Sequence, residues 1–340
     1  MGRPSVGDSG RTTSVPDVTR VRDWVAGARP RTLPASLAPV IAGTATTARP
    51  GFGWGQGLIW WRLAMALVVA LALQIGVNYA NDYSDGVRGT DDERRVGPRR
   101  LVGSGLAAPA AVRRAAAAAG LVAGGAGLAL AAAAGWWLLA VGAACLAAGW
   151  FYSGGRRPYG YRGWGEVGVF VFFGFVAAVG SAYVQLEAIT ARSIWVGVGC
   201  GCLSCALLVA NNLRDIAGDA AAGKHTLAVR LGEARTRMLY GALVAGGFAA
   251  LAPLATGDQQ GVLVLGNRAN DPIQLAPLIS GEPWPLLGLA ALPLAARPLW
   301  RVLRGDQGAD LIGVLAATGR LLAGYGLTVA AGLWLVSALN

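Results

Sequence analysis

The chain has 340 residues, of which 54% are hydrophobic and 14% charged, with a net charge of +11. A soluble domain carries about 25% charged residues, so this composition is that of a membrane protein. The positive charge does not mark a nucleic-acid binder, and no nucleic-acid partner is expected. Basic residues fall between long apolar runs, without the basic face or aromatic–basic interleaving such a protein needs.

Residues 1–22 are rich in Gly, Ser, Thr and Arg, and no apolar stretch follows them directly. They read as a disordered cytoplasmic tail and not as a cleaved signal peptide. Residues 23–340 read as one transmembrane domain. Val18, Val21, Trp24 and Val25 share one helical stripe, which suits a short helix lying in the interface. The predicted fold class is all-α, a polytopic membrane bundle of nine transmembrane helices with an internal pseudo-repeat. The spans are predicted near 32–48, 61–81, 110–135, 136–153, 165–184, 194–212, 237–256, 284–303 and 312–339. Gly120 and Gly124 have small-xxx-small spacing and are assigned to helix packing. Residues 257–283 form a long outer loop with no chemistry of its own.

Placing the N-terminus in the cytoplasm leaves only Arg49, Arg62, Arg192 and Arg268 in the outer connections. The other 25 of 29 basic residues lie inside, as topology rules require. The C-terminus then falls outside, and six tryptophans (Trp60, Trp61, Trp136, Trp137, Trp195 and Trp284) mark outer helix ends. The expected location is the cell membrane, with the active site facing the cytoplasm. Cys145, Cys200, Cys202 and Cys205 sit in apolar segments with no histidine beside them and are read as packing residues.

Two inner helix ends carry the chemistry. The first, 78–105, crowds Asn78, Asn81, Asp82, Asp85, Asp91, Asp92 and Glu93 together with Arg88, Arg94, Arg95, Arg99 and Arg100. Asn78 and Asp82 are four apart, as are Asn81 and Asp85, so their oxygens can share a helix face. Converging oxygen ligands favour Mg²⁺, which takes one or two carboxylates and fills its shell with water and phosphate oxygens. The arginines suit phosphate. The second cluster, 211–232, holds Asn211, Asp215, Asp219 and Lys224, the only lysine of the chain, beside the only histidine, His225. His225 is read as an exposed loop residue.

Asn78 and Asn211 are 133 residues apart, and so are Asp82 and Asp215. A duplication of this kind would set the two clusters across one cavity. Polar side chains in a helix that has just been apolar are costly and point to function. The inner loop 150–166 adds Tyr152, Tyr159, Tyr161, Arg156, Arg157 and Arg162. Its arginines bind anions or simply follow the positive-inside rule, and both readings stay open.

The segments NDYSDGVRGTD, RLVGSG, NNLRDIAGDAAAGKHTLAVRLG, ARPRTLPASLAPVIAGT and YSGGRRPYGYRGWGE together resemble the UbiA-type intramembrane aromatic prenyltransferases from about Trp24 onward. The resemblance implies a cytoplasm-facing cavity, Mg²⁺ as cofactor and a polyprenyl diphosphate donor. It implies metal and catalytic roles for Asp82, Asp85, Asp215 and Asp219, with Asn78 as a further metal ligand. Asn78, Asn81, Arg88, Tyr152, Arg156, Asn211 and Lys224 are the implied substrate-binding residues. Many relatives carry an aspartate four residues after the one matching Asp85, where this chain has Gly89 and then Asp91. That shift is shared with the branch that prenylates 1,4-dihydroxy-2-naphthoate with loss of CO₂, giving demethylmenaquinone. Arg29 or Arg31 would meet the acceptor carboxylate. The rival readings are another aromatic acceptor (4-hydroxybenzoate or homogentisate) and a secondary transporter.

Overall fold

A computed structural model describes residues 20–48, 57–89, 100–256, 262–264 and 283–339. Seven helices are long and apolar enough to cross a membrane: α3 (Trp60–Arg88), α4 (Pro109–Ala134), α6 (Gly165–Leu186), α7 (Ala191–Ala221), α8 (Leu227–Ala255), α9 (Trp284–Leu303) and α10 (Gly308–Leu335). Two shorter apolar helices, α2 (Pro34–Ala45) and α5 (Leu138–Ser153), pack among them. Seven of the nine predicted spans match the long helices, and the two predicted near 32–48 and 136–153 correspond to the shorter ones. At about 1.5 Å per residue the 12 residues of α2 reach roughly 18 Å, short of a hydrocarbon core of about 30 Å.

The remaining elements are small. α1 (Val21–Gly27) starts inside the stretch read as tail; it exposes Val21 and Val25 while Trp24 packs edge-on against Tyr79. Val18, the fourth member of that stripe, lies outside the described residues. β1 (Ala188–Thr190) pairs antiparallel with β2 (Val262–Val264), so three residues of the 257–283 loop pair with the strand that follows α6. The rest of residues 257–282 lies outside the described residues.

Close helix crossings follow glycine, but not at the pair chosen from spacing. A Cβ at Gly43 of α2 would fall 2.1 Å from the Ala178 carbonyl oxygen of α6. One at Gly174 would fall 2.7 Å from the Gly197 carbonyl oxygen of α7. Gly174 lies in a π-helical stretch, Phe170–Val176, whose wider turn helps turn phenylalanines inward. Gly124, by contrast, has nothing within 4 Å, and Gly120 meets only Leu146 at 3.6 Å. α4 instead approaches α3 through Ala119 and the Ala116 carbonyl beside Gly76. Small residues permit close packing; the facing helix decides which of them use it.

The two faces of the bundle are tied differently. At one face Arg62 of α3 donates to Val184 O (2.6 Å) and Ala133 O (3.0 Å), capping the ends of α6 and α4, and pairs with Glu187 at 3.4 Å. Trp137 joins this face through Tyr183, Nε1 to hydroxyl 3.0 Å. The opposite face holds the ends of α3 and α7 and their acidic clusters. With 29 and 31 residues, these helices run to about 44–46 Å and overshoot the hydrocarbon core. The four cysteines are free, Cys200 and Cys205 buried, as packing residues would be.

Gly43→Leu would overpack the α2–α6 crossing and is expected to destabilise by about 1–3 kcal/mol. The measurement is the thermal unfolding midpoint in detergent; an unchanged midpoint means the helices do not cross so closely.

Candidate active site

The acidic face opens into a cavity of about 610 Å³ lined by Asn78, Asn81, Asp82 and Asp85 of α3 and by Asn211, Asp215 and Asp219 of α7. The two helix ends therefore share one chamber, as the 133-residue correspondence predicts. The helices themselves keep this register: their last residues, Arg88 and Ala221, are also 133 apart.

A contact across the chamber joins them. Lys224 Nζ lies 3.4 Å from Asp85 Oδ2. It also stands 4.7 Å from the ring centroid of Tyr161, whose hydroxyl donates to Asp85 Oδ1. The Tyr161 carbonyl accepts from His225 N at 2.8 Å, and Lys224 N donates to Asp219 O at 2.8 Å. The loop after α5, the end of α3 and the loop after α7 are thus knitted around one carboxylate. Within α7, Arg214 donates to both Asp215 oxygens (2.7 and 2.5 Å) and to Asn211 Oδ1 at 2.9 Å. These cations neutralise carboxylates that would otherwise be costly to bury.

Other predicted residues occupy distinct places. Asn81 Oδ1 accepts from Ser153 Oγ at 2.6 Å. Asp82 is 1% exposed, and its two oxygens accept from Leu101 N and Val102 N, each at 2.9 Å. Asn78 Nδ2 donates to Ala28 O at 2.8 Å. Tyr152 lines the cavity and stacks edge-on with Tyr159, centroids 5.5 Å apart. Burial pushes the Tyr159 hydroxyl up to about 12, so it keeps its proton at neutral pH. Arg88 is exposed; its guanidinium donates to Ser153 O and Gly155 O and sits 5.5 Å from the Tyr161 ring, bracing the loop and not lining the cavity. Arg156 is exposed and also not among the lining residues. His225 is exposed, as read from sequence. Asp91, Asp92, Glu93, Arg94, Arg95 and Arg99 lie outside the described residues.

Other residues noted in the sequence also line the cavity. Arg29, Arg31 and Arg100 bring positive charge to the cavity, and Tyr159 and Tyr161 bring hydroxyls. Arg29 holds φ +54, a left-handed conformation disfavoured for a side-chain-bearing residue, just before Pro30. Thr32 stabilises that turn by donating to the Arg29 carbonyl at 2.9 Å. Gln74 is a signal the sequence did carry: an amide in an apolar run, four residues before Asn78. Its Nε2 donates to Thr32 Oγ1 at 3.0 Å. Below the polar mouth the cavity is walled by apolar side chains, among them Leu73, Val77, Val141, Phe172, Phe173 and Leu207.

The chamber thus has a charged mouth and a greasy floor. Its exposed-to-cavity donors are carboxylate and amide oxygens, the set that suits a hard divalent cation such as Mg²⁺. Among the described residues no three carboxylate, histidine or cysteine side chains stand together tightly enough to hold an ion unaided. Such a cation would therefore sit between one or two carboxylates and the oxygens of an anionic ligand, the pattern usual for Mg²⁺.

This arrangement has known counterparts. The sequence profile of the UbiA prenyltransferase family matches residues 36–311, and the chain belongs to that family. It is a multi-pass membrane protein. It is 50% identical over 314 residues, 91% of this chain and 96% of the relative, to the 1,4-dihydroxy-2-naphthoate octaprenyltransferase of Mycobacterium tuberculosis. The Escherichia coli protein of the same name is 38% identical over 69% of this chain and 77% of its own length. In fold the chain resembles a UbiA homolog from Aeropyrum pernix (TM-score 0.58, 13% identity, 89% of this chain and 97% of that one). It also resembles a UbiA homolog from Archaeoglobus fulgidus bound to DMAPP and Mg²⁺ (TM-score 0.54, 14% identity, 91% of this chain and 99% of that one).

Lys224→Met removes the cation poised between Asp85 and the cavity. It is expected to weaken Mg²⁺-dependent binding of inorganic pyrophosphate by about 10- to 100-fold, the worth of a charge-assisted contact. Calorimetry on the purified protein measures this, and an unchanged affinity would place the anion elsewhere.

Proposed function

We propose that the protein transfers a polyprenyl group from polyprenyl diphosphate to 1,4-dihydroxy-2-naphthoate, with loss of the ring carboxylate as CO₂. The observation that carries this reading is the single chamber in which both acidic helix ends and Lys224 meet above an apolar floor. The names of the naphthoate-prenylating relatives, at up to 50% identity over most of the chain, support the choice of acceptor.

Cleavage of the allylic C–O bond leaves negative charge on pyrophosphate, and cationic groups aimed at that charge speed departure. When bound, Mg²⁺ supplies Lewis-acid stabilisation of the leaving phosphate oxygens. Asp85, Asp215 and Asp219, with Asn81 and Asn211, would hold it. Lys224 and Arg214 lie beside those carboxylates and shift their pairing toward phosphate when the donor enters. The apolar floor takes the prenyl chain and keeps water from the allylic cation. The dihydroxylated ring is already electron-rich, so its attack needs orientation more than a strong base. Tyr152 and Tyr159 offer aromatic edges and a protonated hydroxyl for that purpose, and Arg29 and Arg31 offer charge for the acceptor carboxylate.

The positive-inside distribution supports a cytoplasmic mouth, a cytoplasmic N-terminus and a C-terminus outside. Tryptophans exposed at the Arg62 end, Trp60, Trp61, Trp136 and Trp137, support the opposite interface there.

Purified protein supplied with polyprenyl diphosphate and a panel of acceptors tests the assignment. Prenylation of 1,4-dihydroxy-2-naphthoate with release of CO₂ and pyrophosphate is expected, stopped by EDTA and restored by Mg²⁺. Preference for 4-hydroxybenzoate or homogentisate would overturn the acceptor. Asp215→Ala is expected to lower kcat by about 100-fold or more while the protein still inserts, since it removes charge stabilisation at the reacting bond.

A further inference from the structure

We propose that Asp82 is a positioning residue: its carboxylate holds the 100–105 loop so that Arg100 faces the cavity, and it is not a ligand of the divalent cation. The proposal rests on the reading of the chamber as a Mg²⁺-diphosphate site and divides the acidic cluster within it.

The first observation is the carboxylate itself. Each oxygen accepts one backbone amide, Leu101 N on Oδ2 and Val102 N on Oδ1, both at 2.9 Å. Two separate hydrogen bonds use the fork of a carboxylate as a loop cap. The loop is seated as well as bonded. Leu101 is 1% exposed, in a small core with Tyr79, Ala107 and Val112. A Cβ at Gly86 would fall 2.5 Å from Val102 Cβ, and one at Gly27 would fall 2.7 Å from Leu101 Cδ1. Both glycines are needed for the loop to lie against α3 and α1. Arg100, the residue just before the two amides, lines the cavity.

The second observation is helical spacing. Gln74, Asn78 and Asp82 follow one another at intervals of four and so share one stripe of α3. Each member makes a hydrogen bond to a neighbouring segment. Gln74 donates to Thr32 Oγ1 at 3.0 Å, Asn78 to Ala28 O at 2.8 Å, and Asp82 accepts from the loop. The adjacent stripe, Asn81 and Asp85, meets Ser153, Tyr161 and Lys224 instead. One stripe clamps the arginine-bearing turns at 28–32 and 100–105, and the other carries the charged contacts of the mouth.

The third observation comes from the other half. In α7 the cavity asparagine Asn211 is followed by Asn212, as Asn81 is followed by Asp82 in α3. Asn212 is also buried, and its amide donates to Glu166 Oε1 of α6 at 3.0 Å. In both halves the residue after the cavity asparagine is used to hold a neighbouring segment. An amide serves in one half where a carboxylate serves in the other, because the partner is a carboxylate in one case and backbone N–H in the other.

The test compares Asp82→Ala, Asp82→Asn, Arg100→Ala, Asp85→Ala and the Asp82→Ala/Arg100→Ala double variant in purified protein. Calorimetry gives the Mg²⁺ concentration for half-maximal pyrophosphate binding, kinetics give KM and kcat, and hydrogen exchange reports the peptide containing Leu101 and Val102. Asp82→Ala is expected to raise the KM for prenyl diphosphate by about 10-fold, in line with losing one well-placed charged contact. Its Mg²⁺ half-saturation should stay within about twofold of wild type, and exchange at 101–102 should quicken. The double variant should be no worse than Arg100→Ala, because the two changes act through one contact. Should Asp82→Ala fail to fold, Asp82→Asn carries the same three readouts, since its NH₂ group replaces one of the two accepting oxygens with a donor. A Mg²⁺ half-saturation shifted as far as in Asp85→Ala, or a double variant showing the product of the single effects, overturns the proposal. An Asp85→Ala variant with unaltered Mg²⁺ dependence, together with unaltered Asp82→Ala, instead overturns the underlying cation site.

Discussion

The contact between Lys224 and Asp85, 3.4 Å across the mouth of the chamber, is the interaction on which the site depends. It joins the end of α3 to the loop leaving α7, and Tyr161 sits between them as a shared aromatic and hydroxyl partner. Without it, Asp85 would lose the cation that reaches it from the loop after α7. With it, the second half supplies a counter-charge to the first across the chamber. The same lysine lines the chamber and so stands within reach of an anion that enters it.

Buried polar groups are costly in a membrane protein, and this chain spends them in two distinct ways. One set stands at the mouth: Asn81, Asp85, Asn211, Asp215 and Asp219, with Lys224 and Arg214 among them. The other holds backbone segments: Gln74, Asn78 and Asp82 on α3, Asn212 with Glu166 on the other half, and Arg62 at the far face. The second set keeps the first in register. Arg62 closes helix ends at the face opposite the carboxylate-lined chamber.

The duplication explains the similarity of the halves, and their divergence explains the asymmetry of the site. Asp85 meets a lysine and a tyrosine from loops, whereas Asp215 is forked by the arginine immediately before it. The position matching Asp219 at an offset of 133 is Gly86, and there Val102 packs instead of a carboxylate. One half thus contributes a loop-supported acid and the other a helix-supported pair.

The seven long apolar helices, the acidic helix ends, their pairing in one chamber and the burial of Cys200 and Cys205 in apolar packing were all legible in one dimension. Apolar runs, charge placement and a repeated interval are properties of spacing, and spacing survives folding. Partner choice is not. That Arg88 and Arg156 stay outside while Arg29, Arg31 and Arg100 line the cavity depends on where turns come to rest, as does Gly76, and not Gly124, making the close helix approach. Asp82 and Asp85 are alike as letters, but a three-residue step on a helix sends one toward backbone amides and the other toward a lysine. The linear chain specifies which groups are available; three-dimensional packing assigns each to a neighbour, because hydrogen bonds and ion pairs act over a few ångströms that sequence distance does not measure.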